Sequence, residues 1–283
     1  MNKLIIVTGP TASGKTDYSL ELAKSLSSPI VSCDSRQIYK ELKIGTAPPT
    51  AEQLNEVKHY FIYSHSIFNH YTAGKYELEA LALLSDLFKK HESVVMAGGS
   101  GLYIDALLYG IDDFPAADMK IRESLTLRLQ SEGLESLVEE LTKLDPRSTE
   151  IVKLDNPRRV LRALEVCLQT GQEYSSFLKS QTKKREFETE IRYIDRDREQ
   201  LYQRINSRVD IMIEEGLVEE AKALYPHKNL TALNTVGYKE FFAHFDGEYP
   251  LETAIDLIKR DTRRFAKRQI TWWREREKII IKK

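Results

Sequence analysis

Cysteine is scarce in this 283-residue chain. The two present, Cys33 and Cys167, have no partner at ligand spacing, which argues against a disulfide framework or a zinc site and leaves both as small buried hydrophobes. Long apolar runs are also missing. Nothing approaches the roughly 18 residues that a membrane-spanning helix needs, so no membrane association is expected. The N-terminus lacks a basic, then apolar, then small-residue leader, and the expectation is a cytoplasmic protein. There is no internal repeat or low-complexity tract, and no global excess of charge, with 42 Lys and Arg against 43 Asp and Glu. That balance hides an asymmetry: residues 259–283 hold eleven basic residues against Asp261, Glu275 and Glu277, a local net of +8. Such an end suits phosphates, although a charged helix face is often only solvated. With 41% hydrophobic and 30% charged residues the composition is that of a globular protein long enough for one large domain or a core with an insertion.

What is present begins with Gly9-Pro10-Thr11-Ala12-Ser13-Gly14-Lys15-Thr16. This stretch fits the phosphate-loop pattern G-x-x-x-x-G-K-[ST] directly after the apolar run Leu4-Ile5-Ile6-Val7. Glycines allow successive backbone N–H groups to form an anion cradle at a helix N-terminus. Lys15 adds a point charge there, and the Thr16 hydroxyl can hold Mg²⁺. The loop fixes a ligand class, nucleotides such as ATP included, without fixing a reaction.

Periodicity supplies the frame. Strands are expected at Lys3–Val7, Pro29–Ser32, Ser93–Ala97, Glu190–Ile194 and Lys278–Ile281. Helices are expected at Thr16–Leu26, Ala73–Lys90, Met119–Gln130, Leu134–Lys143, Pro157–Gln169, after an Asp197 cap to Gly216, and at Leu251–Trp273. Strands alternate with helices at first and then vanish around residues 112–115. The fold class is therefore α/β: a P-loop NTPase-like parallel sheet flanked by helices, with an all-helical insertion domain. The expected boundaries are 1–113 and 190–283 for the core and 114–189 for the insertion.

Three further stretches converge on the loop. The second strand runs into Asp34-Ser35-Arg36-Gln37, and in an open parallel sheet the C-terminal strand ends line the ligand crevice. Asp34 could hold Mg²⁺, accept a proton from a nucleophile, or cap the next turn. After the third strand, Gly98-Gly99-Ser100-Gly101 stands where an ordinary phosphate-loop ATPase carries a metal-holding acid. It reads either as a second wall of the phosphate site, with Ser100 supplying a hydroxyl, or as a glycine turn opening a helix. Arg204 and Arg208 leave one helix face, suited to a diphosphate or to ion pairs with Glu199 and Asp210.

Taken together, Gly9–Thr16, Asp34-Ser35-Arg36-Gln37-Ile38-Tyr39, Gly98-Gly99-Ser100-Gly101-Leu102-Tyr103, Asn156-Pro157-Arg158-Arg159-Val160-Leu161-Arg162-Ala163-Leu164-Glu165-Val166, Val236-Gly237-Tyr238-Lys239-Glu240 and Ala266-Lys267-Arg268-Gln269-Ile270-Thr271-Trp272 resemble the tRNA dimethylallyltransferase family, in order from residue 9 to residue 272. The resemblance implies transfer of a dimethylallyl group from its diphosphate to the exocyclic amine of the adenosine just 3' of a tRNA anticodon. Gly9, Pro10, Thr11, Ala12, Ser13, Gly14, Lys15 and Thr16, with Arg204 and Arg208, would hold the diphosphate, and Thr16 the Mg²⁺ cofactor.

The same resemblance makes Asp34 and Ser100 the catalytic pair. Ser35, Arg36, Gln37, Arg122, Arg158, Arg159, Val160, Leu161, Arg162, Lys267 and Arg268, with Asp34 and Ser100 again, would meet tRNA. Ser100 stands where the family usually has Thr, which keeps the hydroxyl. Trp272 and Trp273 suit packing better than base stacking. His59 stands where the family commonly shows a double-His segment, and no role is assigned to it. A monomer is the default. The rivals are an adenylate isopentenyltransferase, disfavoured by the helical insertion and the basic C-terminal helix; a P-loop kinase, disfavoured by the missing acid; and a non-catalytic RNA-binding module, which leaves the phosphate loop unexplained.

Overall fold

The computed structural model describes residues 2–178, 183–276 and 280–282. The chain divides into two compact units, Met1–Gly110 together with Lys184–Lys283, and Ile111–Lys183.

The first unit opens with β1 (Lys3–Thr8), whose Leu4–Val7 are between 0% and 4% exposed, as an interior strand covered on both faces requires. There follow α1 (Lys15–Ser25), β2 (Ile30–Ser32), the short α2 (Ala51–Glu56), β3 (His59–Tyr60), α3 (Ala73–Leu87), β4 (Ser93–Ala97) and α4 (Gly101–Tyr109). Thr50 begins α2 with a reciprocal capping box to Gln53, and Thr72 caps α3 through the Lys75 amide. Two-residue β3 shows no alternation to read, which is why periodicity does not reveal it.

The second unit holds α5 (Met119–Leu144), α6 (Ser148–Ile151) and α7 (Pro157–Thr170). The two helices expected over 119–143 form one run interrupted at Gly133, which takes φ +83°, a left-handed backbone that favours glycine. Asp118 caps α5; Asn156 and Pro157 begin α7, and Gly171 ends it at φ +67°. Leu125, Leu137, Leu141, Val160, Ala163, Leu164 and Cys167 make this unit's own core.

The chain returns through β5 (Glu188–Tyr193), α8 (Arg198–Glu214), α9 (Leu217–Leu224), α10 (Lys239–Phe245), α11 (Leu251–Arg274) and β6 (Ile280–Lys282). Asp197 caps α8 as expected, accepting the Glu199 and Gln200 amides. The return to the first unit comes before residue 190: Arg185 donates to the Leu107 and Ala106 carbonyls and pairs with buried Glu77, fastening residues 184–187 to α3 and α4. Residues 179–182 of the expected connection, and Lys278 and Ile279 of the expected last strand, lie outside the described residues.

All strand pairs are parallel, in the order β3-β2-β4-β1-β5-β6. The chain leaves β1 toward β2 on one side and later adds β5 on the other. Strand order therefore reverses beside β1, where an open α/β sheet has its ligand crevice. No helix among the described residues is long and apolar enough to cross a membrane.

Candidate active site

The loop between β1 and α1 is shaped by backbone that few residues tolerate. A Cβ on Gly9 would lie 2.6 Å from the Ile194 carbonyl oxygen, so only glycine fits against the chain just beyond β5. Ala12 at φ +64° and Gly14 at φ +99° take left-handed backbone, and the strain at Ala12 is of the order of 1–2 kcal/mol. Gly14 begins α1 without a side-chain cap, which leaves the helix's first amides for a ligand.

Cations crowd this loop. Lys15 Nζ donates to the Pro10 carbonyl at 2.6 Å, Arg204 Nε to the Ala12 carbonyl at 2.8 Å, and Arg196 Nε to the Ser13 carbonyl at 3.1 Å. Burial pulls the Lys15 ammonium down to about 8, against the opposing pull of Asp34. Burial and then the Arg204 guanidinium lower Arg208 as well. Positive groups held in a desolvated cluster raise one another's free energy, and an anion in the cradle relieves it. Thr16 sits half-buried in the first turn of α1 beside this cluster. The alternative ion pairs of Arg204 and Arg208 with Glu199 or Asp210 are not found among the described residues, where Asp210 pairs with Lys259.

Past β2 the chain folds into a tight turn held by Asp34. Its Oδ1 accepts the Arg36 amide at 2.8 Å and the Gln37 amide at 3.2 Å, whereas Oδ2 accepts no hydrogen bond among the described residues. Ser100, at the start of α4, binds the same turn: its Oγ accepts the Ser35 amide at 2.9 Å and donates to Ser35 Oγ at 3.1 Å. A Cβ on Gly98 would meet Cys33 Sγ at 2.7 Å and Asp34 N at 2.9 Å. The glycine segment opens α4, one of the two expected readings, and Gly98 lies pressed against Cys33 and Asp34. Arg36 donates to the Ala232 carbonyl, and Gln37 Nε2 to the Thr46 and Ala47 carbonyls at 3.1 and 2.9 Å, so the Gln37 amide nitrogen shapes a neighbouring loop.

Gln269 on α11 had no role in the sequence reading beyond its place in a motif. It is 8% exposed; its Oε1 accepts the Thr11 amide at 2.8 Å and its Nε2 donates to the Gly99 carbonyl at 2.9 Å. The Val236–Glu240 motif also gains a physical reason. The Tyr238 hydroxyl donates at 2.6 Å to Glu220, which also accepts the Lys43, Ile44 and Gly45 amides, and the Gly237 amide donates to Glu240. These contacts brace the loop on which Gln37 leans. Arg196 carried no motif and was missed.

The residues expected to meet RNA divide. Arg158 and Arg159 are exposed at the start of α7. Arg122 and Arg162 both grip Glu165, which is 1% exposed, at 2.7 Å each, and Arg162 also donates to the Pro115 carbonyl. Val160 is fully buried in the helical unit's core and Leu161 packs against that core, so the expected RNA contact is not open to the Val160 side chain. Helical rotation turns position 160 inward between outward-facing arginines. On α11, Lys267 and Arg268 are exposed while Ala266 and Gln269 face in. Trp273 is 1% exposed near Tyr193, and Trp272 lies under Gly101 with the Arg276 guanidinium 4.4 Å from its ring centre, so both tryptophans pack. His59 Nδ1 contacts only the Val57 carbonyl, at 2.8 Å, and no metal-holding His, Cys, Asp and Glu cluster occurs among the described residues.

The model of the IPP transferase family matches residues 37–276, starting just beyond the phosphate loop and Asp34. The chain is 48% identical to a tRNA dimethylallyltransferase of Flavobacterium johnsoniae, over 98% of this chain and 92% of that protein. It is 49% identical to one of Christiangramia forsetii, with the same coverages. Among solved structures it matches the tRNA isopentenylpyrophosphate transferase of Bacillus halodurans at 35% identity and a TM-score of 0.69, covering 97% of this chain and 87% of that one. It matches a eukaryotic dimethylallyltransferase acting on tRNA at 25% identity and a TM-score of 0.82, covering 100% and 73%.

Proposed function

The chain belongs to the IPP transferase family, and we propose that it transfers a dimethylallyl group from dimethylallyl diphosphate to the exocyclic amine of the adenosine just 3' of the anticodon in tRNA, releasing diphosphate. The observation that carries this reading is the pairing of a cation-rich phosphate loop with a carboxylate anchored through one oxygen only.

Lys15, Arg204 and Arg208 offset charge on the leaving diphosphate as the allylic carbon–oxygen bond breaks. The adenine amine bonds to that carbon, and Asp34, through Oδ2, orients the amine and takes its proton. An adenine amine is a weak nucleophile, so most of the acceleration comes from in-line positioning and leaving-group stabilisation; the proton acceptor contributes about a hundredfold to ten-thousandfold. Mg²⁺ is compatible with these residues, because Thr16, a hydroxyl-bearing residue, is half-buried in the first turn of α1 next to the uncapped helix start, and Mg²⁺ takes few protein oxygens and completes its shell with water and substrate phosphates. It would be held by Thr16 and would neutralise part of the diphosphate charge.

The target base is extruded from the anticodon loop to reach Asp34. Ser35, Arg36, Gln37 and Ser100 border its place, and Arg158, Arg159, Lys267 and Arg268 meet the tRNA backbone. A cytoplasmic monomer suits this substrate. The test is incubation with labelled dimethylallyl diphosphate, Mg²⁺ and unmodified tRNA, AMP or no acceptor. Label in tRNA alone is expected; label in AMP alone overturns the reading in favour of an adenylate isopentenyltransferase.

A further inference from the structure

We infer that Gln269 is a positioning residue for prenyl transfer, setting the separation between the diphosphate loop and the wall that carries the amine site. The inference rests on the proposed reading of that site and adds to it a part for a residue that touches neither substrate.

Gln269 is the only side chain among the described residues that hydrogen-bonds to both walls. Its carboxamide lies between two main-chain groups 88 residues apart in sequence, accepting from Thr11 N at 2.8 Å and donating to Gly99 O at 2.9 Å. Each bond uses a different end of the amide, so the side chain has one orientation that satisfies both partners. On one side, Thr11 follows Pro10, whose carbonyl receives the Lys15 ammonium. On the other, Gly99 precedes Ser100, whose hydroxyl binds both the amide and the hydroxyl of Ser35 in the Asp34 turn. A continuous path of hydrogen bonds and single peptide units therefore runs from Lys15 to Asp34 through this one amide. A Cβ at position 99 would collide with the Gln269 amide, so the glycine is what lets the side chain reach the carbonyl.

In-line transfer depends on the distance between the carbon leaving the diphosphate and the amine held by Asp34, and a misplacement of about 1 Å costs about a hundredfold in rate. A residue that fixes this separation acts on turnover and leaves RNA affinity alone.

The experiment uses the full chain with Gln269→Leu and Gln269→Glu, measuring kcat, KM for dimethylallyl diphosphate, equilibrium binding of a tRNA anticodon stem-loop, and thermal melting. For Gln269→Leu, kcat is expected to fall about tenfold to a hundredfold, with stem-loop affinity within about twofold of the parent. Gln269→Glu keeps the acceptor for Thr11 but, when ionised, turns a carboxylate toward the Gly99 carbonyl; protonation restores the donor. Its kcat relative to the parent is expected to rise as pH falls from 8 to 6, and a packing role gives no such trend. Parent-like kcat in Gln269→Leu, a flat ratio in Gln269→Glu, or loss of folding in both variants overturns the inference. An inactive parent overturns the proposed function itself, which separates the two failures.

Discussion

Asp34 Oδ1 stands 2.8 Å from the Arg36 amide nitrogen, a contact that makes one carboxylate oxygen a turn cap and leaves the other without a hydrogen bond among the described residues. Two of the three roles open to Asp34 are therefore compatible, because capping uses one oxygen and proton acceptance the other. Asp34→Asn keeps the capping oxygen and removes the base, and it is expected to lower kcat by about a hundredfold to ten-thousandfold with stem-loop affinity nearly intact. Asp34→Ala loses the cap as well, and it is expected to add a stability cost near 1 kcal/mol, by analogy with helix caps. Steady-state kinetics and denaturant titration separate the two effects. Normal turnover in Asp34→Asn removes this carboxylate from the chemistry.

Lys15 gives the site a pH dependence with a definite sign. Burial lowers its ammonium to about 8 in the ligand-free protein, so it is charged below pH 8 and loses its proton above. A bound diphosphate raises the same group, and binding above pH 8 must then take up a proton. The contribution of Lys15 to diphosphate affinity is expected to be level on the acid side of pH 8 and to fall by up to about tenfold per unit above it. The opposite sign holds for folding without ligand: the unfolded chain, with Lys15 at its ordinary value, binds more protons between pH 8 and 10.5, so this group's destabilising contribution fades over that window. Calorimetric titration of diphosphate into the parent and Lys15→Met checks this, and the alkaline limb is expected to be absent from the variant.

How much of this was legible in the sequence depends on range. The phosphate loop is a contiguous spacing, and Asp197 caps its own helix, so local rules found them. Val160 was misjudged although its signal was present: Val160, Ala163, Leu164 and Cys167 recur at the spacing of one helical face, and all four are buried. The Gln269 bridge joins residues 258 positions apart, and nothing local announces it. Asp34's free oxygen depends on the geometry of one turn, which fixes the difference between cap and base only after folding.

The arginines around Glu165 lead to a stability prediction for the helical unit. Glu165 is a nearly inaccessible carboxylate between Arg122 and Arg162, each about a third exposed. Removing both arginines strands a buried charge, and Arg122→Ala with Arg162→Ala is expected to cost about 3–5 kcal/mol. Adding Glu165→Gln to that pair is expected to recover much of the loss, because a neutral amide is cheaper to bury than an unpaired carboxylate. Urea unfolding of the parent and the two variants reads the difference. No recovery on adding Glu165→Gln shows that the arginines act by packing rather than by neutralising Glu165.

Lys267 and Arg268 are exposed on α11 where Gln269 is buried, and the RNA binding proposed for them is expected to weaken with salt. Each cation removed from a set that contacts RNA phosphates lowers the slope of log affinity against log salt by about 0.7 to 0.9. Lys267→Ala with Arg268→Ala is thus expected to reduce the slope for a tRNA stem-loop by about 1.4 to 1.8 while leaving kcat at saturating tRNA close to the parent's. An unchanged slope assigns both residues to the solvated face alone.

Gly98 and Gly99 differ in what a methyl group would strike, and the difference orders two substitutions. At Gly98 it meets the Cys33 main chain at 2.8 Å and the Asp34 amide at 2.9 Å, both held by β2, which is paired to β3 and β4. At Gly99 it meets the end of the Gln269 side chain, which can rotate away at the loss of its two hydrogen bonds. Gly98→Ala is expected to cost about 1–3 kcal/mol from overpacking and to displace Asp34, with kcat down about a hundredfold. Gly99→Ala is expected to be milder in stability, and its kinetic loss should match that of Gln269→Leu, because both changes break the same bridge. Combining the two is then expected to add little, since a bridge already broken cannot be broken again. Fully additive losses in kcat would show that Gly99 and Gln269 act on the reaction separately.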